Sequence, residues 1–95
     1  MRATIIVKGK VQGVGYRWFV RQSAKGIGIK CAARNLKDGS VEIFAEGEKD
    51  SINGIVSLLK NRKPPAASVD SIEVYEEGSN NYRGPFDNGA DEVVV

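Results

Sequence analysis

Histidine is absent from this chain of 95 residues, and cysteine occurs only once, at Cys31. A single cysteine cannot form an internal disulfide. Without histidine and with one cysteine, the chain also lacks the usual sets of ligands for a zinc ion. We therefore expect a protein without a bound metal and without a cofactor.

Long apolar runs are missing as well. No stretch approaches the roughly 20 consecutive apolar residues that a membrane-spanning helix needs, and the first residues lack the apolar core of a secretory signal peptide. With 41% hydrophobic and 27% charged residues, the composition is typical of a soluble globular protein, and the length suits one domain over residues 1–95. We expect a cytoplasmic monomer with no membrane partner.

Acidic residues are absent from the first 37 positions, which carry nine basic residues. The first acid is Asp38, and beyond Lys63 seven acids accompany Arg83 alone. The formal net charge is only +2, but a basic N-terminal third creates a local positive field that attracts small anions or nucleic acid. The simpler interpretation of the peripheral lysines is that they are solvated surface charges that bind no partner.

Glycines are concentrated in the segment Gly9 to Arg17, which reads Gly-Lys-Val-Gln-Gly-Val-Gly-Tyr-Arg. This segment connects a β-branched run to residues with helical spacing. Unpaired amide N–H groups and the helix dipole favour an anion at such a turn. The Arg17 guanidinium can grip two oxygens of a phosphate at once. The candidate substrate-binding residues, through their backbone amides, are Gln12, Gly13, Val14, Gly15, Tyr16 and Arg17.

The spacing of these glycines does not by itself decide the function. Neither the dinucleotide-binding fingerprint nor the P-loop motif is present, and a plain connection with positive φ angles would need glycines too. The residues of the segment, however, closely resemble the signature loop of the acylphosphatase family, small enzymes that hydrolyse carboxyl-phosphate anhydrides. A second segment, Arg34 to Glu42 followed by Gly47, resembles the other motif of that family.

The resemblance implies an acylphosphatase in which Arg17 binds the phosphate and Asn35 positions the attacking water. An amide such as that of Asn35 offers a donor and an acceptor and can orient water without titrating. Because histidine is absent and no carboxylate precedes Asp38, the expected proton acceptor is a phosphate oxygen of the substrate. The implied partners are a small acyl phosphate and inorganic phosphate, as product and inhibitor, with no metal ion.

The remaining chain predicts an α+β domain. Residues 29–34 and 41–46 alternate in polarity around an Asp-Gly turn, which indicates a hairpin. Apolar residues at helical spacing predict an amphipathic helix over residues 49–61, and residues 69–76 predict a strand. The order βαββαβ indicates a ferredoxin-like sandwich with two helices on one face of an antiparallel sheet. A short C-terminal strand is expected at Val93 to Val95.

The side chains around the two motifs have less specific interpretations. Arg34 and Lys37 are expected to be surface charges, and Tyr16 and Trp18 to be packing groups more than pocket residues. Cys31 is expected to behave as a small buried hydrophobe. A cysteine-based phosphatase would need arginine at the position of Lys37.

Two alternative functions stay open. An RNA-binding module shares the βαββαβ order and a basic surface, but residues 41–46 contain only Phe44 between two acids, where such a module would place stacking rings. A non-catalytic anion-binding domain is the other alternative. Cys31 and Ala32 keep it open, because the acylphosphatase family usually has a glycine and an aromatic residue shortly before Asn35.

Overall fold

A computed structural model describes residues 1–86 together with the backbone of residues 92–94. The predicted order βαββαβ is confirmed, and one short strand follows it. The elements are β1 (Arg2–Lys10), α1 (Tyr16–Ile27), β2 (Lys30–Asn35), β3 (Val41–Glu46), α2 (Lys49–Asn61), β4 (Ser68–Glu76) and β5 (Glu92–Val94).

The strands form one sheet in the order β4-β1-β3-β2-β5, and each neighbouring pair is antiparallel. Strands β1 and β3 lie at its centre, where Ile5 is opposite Ile43 and both side chains are fully buried. The same apolar cluster contains Val20 of α1 and Ile55 of α2. Both helices therefore pack on one face of the sheet, which confirms the ferredoxin-like α+β fold.

The opposite face of the sheet, here called the outer face, is less exposed than the alternating sequence predicts. In β3, Glu42 is 0% and Phe44 only 8% exposed, although both alternate with core residues. The segment 82–86 runs over this face, and the Arg83 backbone N–H donates to Thr4 Oγ1 at 2.9 Å. Alternation predicts which residues share a face, but a later segment of the chain decides whether that face is solvated.

Both helices begin and end as their sequences suggest. Helix α1 is followed by Gly28 with a left-handed φ of 85°, a conformation that glycine adopts without strain. Helix α2 occupies the predicted residues. The Tyr16 hydroxyl donates to the Leu59 carbonyl at 3.0 Å, so a buried hydrogen bond joins the two helices.

The predicted C-terminal strand is observed as β5, which pairs with β2 at the edge of the sheet so that Val93 lies opposite Ala33. Its start is one residue earlier than expected, and Val95 lies outside the described residues. Within residues 1–86 and 92–94, no helix has both the length and the apolar character that a membrane crossing requires.

Candidate active site

The glycine-rich segment is divided between a strand and a loop. Strand β1 continues to Lys10 and its pairing with β4 shifts between Lys8 and Gly9, so the loop itself comprises residues 11–15. Gly9 has φ 136°, and a Cβ atom there would lie 2.1 Å from the Ser68 carbonyl oxygen. A glycine is therefore required at this position, because β1 and β4 approach each other closely where the loop begins.

The N-terminus of α1 is open to an anion. Its N-cap, Gly15, has a left-handed φ of 78° and forms no side-chain capping hydrogen bond. No acidic residue occupies the first turn of the helix. The amide groups of this turn, and the positive end of the helix dipole, are therefore not neutralised by a local carboxylate.

A cavity of about 270 Å³ lies directly at this helix start. It brings Arg17 and Asn35 together, although 18 positions separate them in the sequence. Among the described residues that line it, the charged side chains are those of Arg17 and Arg21. The residues that line the cavity are Val11, Gly13, Gly15, Tyr16, Arg17, Trp18, Arg21 and Asn35.

A second cavity, of about 340 Å³, lies under the segment 80–83 on the outer face. Its lining mixes basic and acidic side chains, among them Lys8, Asp38 and Glu73. Although it is larger, neither Arg17 nor Asn35 contributes to it. The smaller cavity is the one that combines the predicted anion-binding groups.

Gln12 connects the loop to the turn between β2 and β3. Its side-chain Nε2 donates to the Leu36 carbonyl at 2.7 Å and to the Ser40 carbonyl at 2.9 Å. This side chain is therefore engaged in holding two backbone segments together. The role predicted for Gln12 in phosphate binding rests on its backbone amide alone.

Asn35 is the last residue of β2 and lies at the edge of the cavity. Its Oδ1 is buried and has no hydrogen-bond partner among the described residues. A buried acceptor of this kind is costly to leave unpaired. Because Asn35 also lines the cavity, its side-chain amide is the candidate group for a hydrogen bond to a water molecule or a hydroxyl group there.

Asp38 shapes the turn that follows Asn35. Its Oδ1 accepts a hydrogen bond from the Ser40 backbone N–H at 2.9 Å and another from the Ser40 hydroxyl. These bonds favour the charged carboxylate and lower the pKa of Asp38 below its ordinary value. The ordered turn holds the Ser40 carbonyl in the position that Gln12 contacts.

The two aromatic residues of the first turn of α1 have different environments. Tyr16 is 1% exposed, as expected for a packing group, and burial raises the pKa of its phenol. Tyr16 therefore lines the cavity chiefly with atoms at or near its backbone. Trp18, in contrast, is 63% exposed and lines the cavity, so it is a pocket residue more than a packing group.

Arg21 was not among the predicted site residues, although it lines the cavity with Arg17. The two arginines are four residues apart in α1 and therefore lie on one side of the helix. This helical spacing was the signal that could have identified Arg21 from the sequence.

Arg34 is not the free surface charge that the sequence predicts. Its Nε and Nη2 atoms donate to Glu42 Oε1 at 3.2 and 3.0 Å. The Nη1 atom of Arg83 donates to the same oxygen at 3.0 Å. The Arg34 guanidinium also lies 4.6 Å from the centre of the Phe86 ring. Lys37, as predicted, is exposed.

Cys31 is buried, as predicted, with 3% of its surface exposed. Burial raises the pKa of its thiol to about 12, so the reactive thiolate is disfavoured. Among the residues that the structure describes, no group of three or more cysteine or acidic side chains is placed to hold a metal ion.

Comparison with known proteins identifies close relatives over most of the chain. The family model described as Acylphosphatase matches residues 3–88. The chain is 49% identical over 86 residues to an acylphosphatase of Caldivirga maquilingensis, which covers 88% of this chain and 90% of that protein. It is 47% identical over 73 residues to an acylphosphatase of Deinococcus radiodurans, covering 77% and 83% of the two chains.

The fold also matches a solved structure. The crystal structure of acylphosphatase from Bacillus subtilis superposes with a TM-score of 0.75 at 35% sequence identity. The match covers 85% of this chain and 90% of that chain. The similarity therefore extends over nearly the whole of both molecules.

Proposed function

The chain belongs to the acylphosphatase family, and from this premise we propose that it hydrolyses small acyl phosphates to a carboxylate and inorganic phosphate. The observation that carries the proposal is the single cavity that Gly13, Gly15, Arg17 and Asn35 line together. An uncapped helix N-terminus and an arginine suit the phosphate, and Asn35, whose Oδ1 has no hydrogen-bond partner among the described residues, lines the same cavity.

The phosphoryl group would bind at the start of α1. The carboxylate of an acyl phosphate is a good leaving group, so the enzyme has mainly to position water and to stabilise charge on the phosphoryl oxygens. The amides of residues 12–17 and the Arg17 guanidinium supply donors for those oxygens. In this proposal Arg17 binds the phosphoryl group of the substrate and stabilises the negative charge on its oxygens during bond cleavage.

Asn35 would orient the attacking water. Its Oδ1 accepts one water proton in a hydrogen bond, and the water oxygen attacks phosphorus as the bond from phosphorus to the acyl oxygen breaks. The acyl group leaves as a carboxylate, and the water proton passes to a phosphoryl oxygen. The sequence contains no histidine, and no carboxylate lines the cavity within residues 1–86, which supports the substrate's own oxygen as the proton acceptor.

The RNA-binding alternative has less support. Such a module presents aromatic rings on the open face of its sheet. Here Phe44 is 8% exposed on the outer face, and the segment 82–86 lies over that face. The non-catalytic alternative differs from the proposal only in turnover. A cytoplasmic location and a monomeric state stay predictions.

The test is release of inorganic phosphate from benzoyl phosphate by the purified chain, with and without EDTA. We expect turnover that EDTA leaves unchanged and that Arg17→Ala reduces by a factor of about 100 or more. Arg62→Ala, which removes an exposed charge just beyond α2, should retain wild-type activity. Phosphate binding without turnover would identify a non-catalytic domain, and a salt-sensitive gel shift with single-stranded RNA and no turnover would favour the RNA-binding module.

A further inference from the structure

The cavity contains more positive charge than one phosphate group requires. Arg17 and the amides at the start of α1 account for the phosphoryl oxygens in the proposed function. Arg21 lines the same cavity but lies one helical turn further along, about 6 Å by the rise of an α-helix. Its guanidinium is therefore available to a different part of a bound substrate.

Arg21 also lacks a partner within the described residues. It is exposed, and it forms no hydrogen bond or ion pair with any of them. Both acidic residues nearest in sequence, Asp38 and Glu42, bond to Ser40 and to arginines of the outer face. Within residues 1–86, no carboxylate therefore pairs with the positive charge of Arg21 at the cavity.

Trp18 supplies an apolar surface to the cavity that both arginines line. It follows Arg17 directly in α1, lines the cavity, and is 63% exposed. Apart from Val74, at 40%, it is the only large hydrophobic side chain that is exposed among the described residues. An exposed indole beside a guanidinium suits a ligand with an apolar body and a charged end.

From this arrangement we propose that Arg21 is a specificity-determining residue that selects acyl phosphates whose acyl group carries a second negative charge. The phosphate binds at Arg17, the carbon skeleton of the acyl group lies against Trp18, and its distal anionic group pairs with Arg21. This inference rests on the proposed function. The competing explanation is that Arg21 is a solvated surface charge that contributes only to the general field of the basic N-terminal third.

The experiment compares two substrates of the same skeleton, benzoyl phosphate and its para-carboxylate derivative. The measured quantity is the ratio of kcat/KM for the carboxylate derivative to kcat/KM for benzoyl phosphate. Arg21→Gln should lower this ratio by about five-fold or more, with the change mainly in KM, because the pair forms equally in the ground state and the transition state. Arg21→Glu should lower it further, since like charges repel.

Lys25→Gln is the matched control, because it removes an exposed positive charge from the next turn of α1 outside the cavity. The kcat/KM ratio of Lys25→Gln should stay within about two-fold of the wild-type ratio, because removing one exposed charge outside the cavity has a small energetic effect. Added salt should lower the wild-type ratio towards that of Arg21→Gln, since salt screens an exposed pair.

Three outcomes are distinguishable. A selective fall of the ratio in Arg21→Gln supports the inference. Hydrolysis of both substrates with the same ratio in the wild type, Arg21→Gln and Lys25→Gln overturns the inference and leaves the proposed function standing. Failure of the wild type to hydrolyse either substrate overturns the proposed function, and the inference that rests on it.

Discussion

Gln12 and Ser40 are 28 residues apart in the sequence, and a hydrogen bond of 2.9 Å from Gln12 Nε2 to the Ser40 carbonyl joins them. The same nitrogen donates to the Leu36 carbonyl at 2.7 Å. Through these two bonds, the loop that begins α1 is attached to the turn that follows Asn35. One side chain therefore joins the glycine-rich loop to the turn beside Asn35, in addition to the pairing of β1, β3 and β2 in the sheet.

We expect Gln12→Ala to lower both stability and activity. The change removes one hydrogen bond from each of the Leu36 and Ser40 carbonyls, which keep the backbone N–H groups of Gly39 and Leu36 as donors. At about 0.5–1.5 kcal/mol for each hydrogen bond, the loss should lower the free energy of unfolding by about 1–3 kcal/mol. It should also lower kcat/KM for an acyl phosphate, because the loop and Asn35 lose their connection. Urea unfolding and steady-state kinetics measure both effects. Gln22→Ala, at an exposed position of α1, is the control, and equal behaviour of the two variants would contradict the prediction.

Asn35→Ala should lower kcat by more than it raises KM. Water orientation matters chiefly in the transition state, whereas Arg17 still binds the substrate. Because Asn35 Oδ1 has no partner among the described residues, the melting temperature should change little. A folded Asn35→Ala variant whose kcat stays within a few-fold of wild type would show that the assigned role is wrong.

Inorganic phosphate should inhibit competitively and stabilise the fold. At 100 times its dissociation constant, a ligand that binds only the native state adds about 2.7 kcal/mol to the free energy of unfolding. Thermal unfolding with increasing phosphate measures this gain. It should disappear in Arg17→Ala and persist in Lys63→Ala, which removes an exposed charge distant in sequence from the loop. A gain of equal size in both variants would place the phosphate elsewhere.

The stability of the fold should depend on the pairing of the buried Glu42 carboxylate with two arginines. Arg34 and Arg83 both donate to Glu42 Oε1, and Glu42 is 0% exposed. The double variant Arg34→Ala, Arg83→Ala leaves a buried charge uncompensated, which should cost about 3–5 kcal/mol of unfolding free energy. Adding Glu42→Gln should recover part of that loss. No recovery would mean that the arginines stabilise the fold by packing, for example on Phe86, and not by pairing with Glu42.

Asp38 should make the free energy of unfolding depend on pH. Its hydrogen bonds from Ser40 lower its pKa in the folded state, so its contribution is complete above the unfolded pKa, near 3.9, and is lost as the pH falls through the lower folded pKa. Asp38→Asn should therefore be less stable than the wild type at neutral pH, with the difference closing in acid. Calorimetry at several pH values tests this, with Asp70→Asn at an exposed position as control. A difference that is independent of pH would exclude the charged hydrogen bonds as its cause.

The fold and most of the candidate site could be predicted from the amino-acid sequence. The helix over residues 49–61 and the hairpin around Asp38 and Gly39 were predictable because local periodicity and turn chemistry specify them. The juxtaposition of the glycine loop with Asn35 followed from the βαββαβ order and from the resemblance to the acylphosphatase family. These features depend on residues close together in the chain or on recognisable motifs.

The surroundings of the individual side chains became apparent from the folded chain alone. Glu42 alternates with core residues, so a solvent-facing carboxylate was the natural expectation, but the segment 82–86 covers it and places Arg83 against it. Trp18 lies two residues after the buried Tyr16 and yet is exposed at the cavity that Arg21 also lines. The physical reason is common to these cases: burial depends on which distant segment packs over a surface, and no local pattern of polarity contains that information.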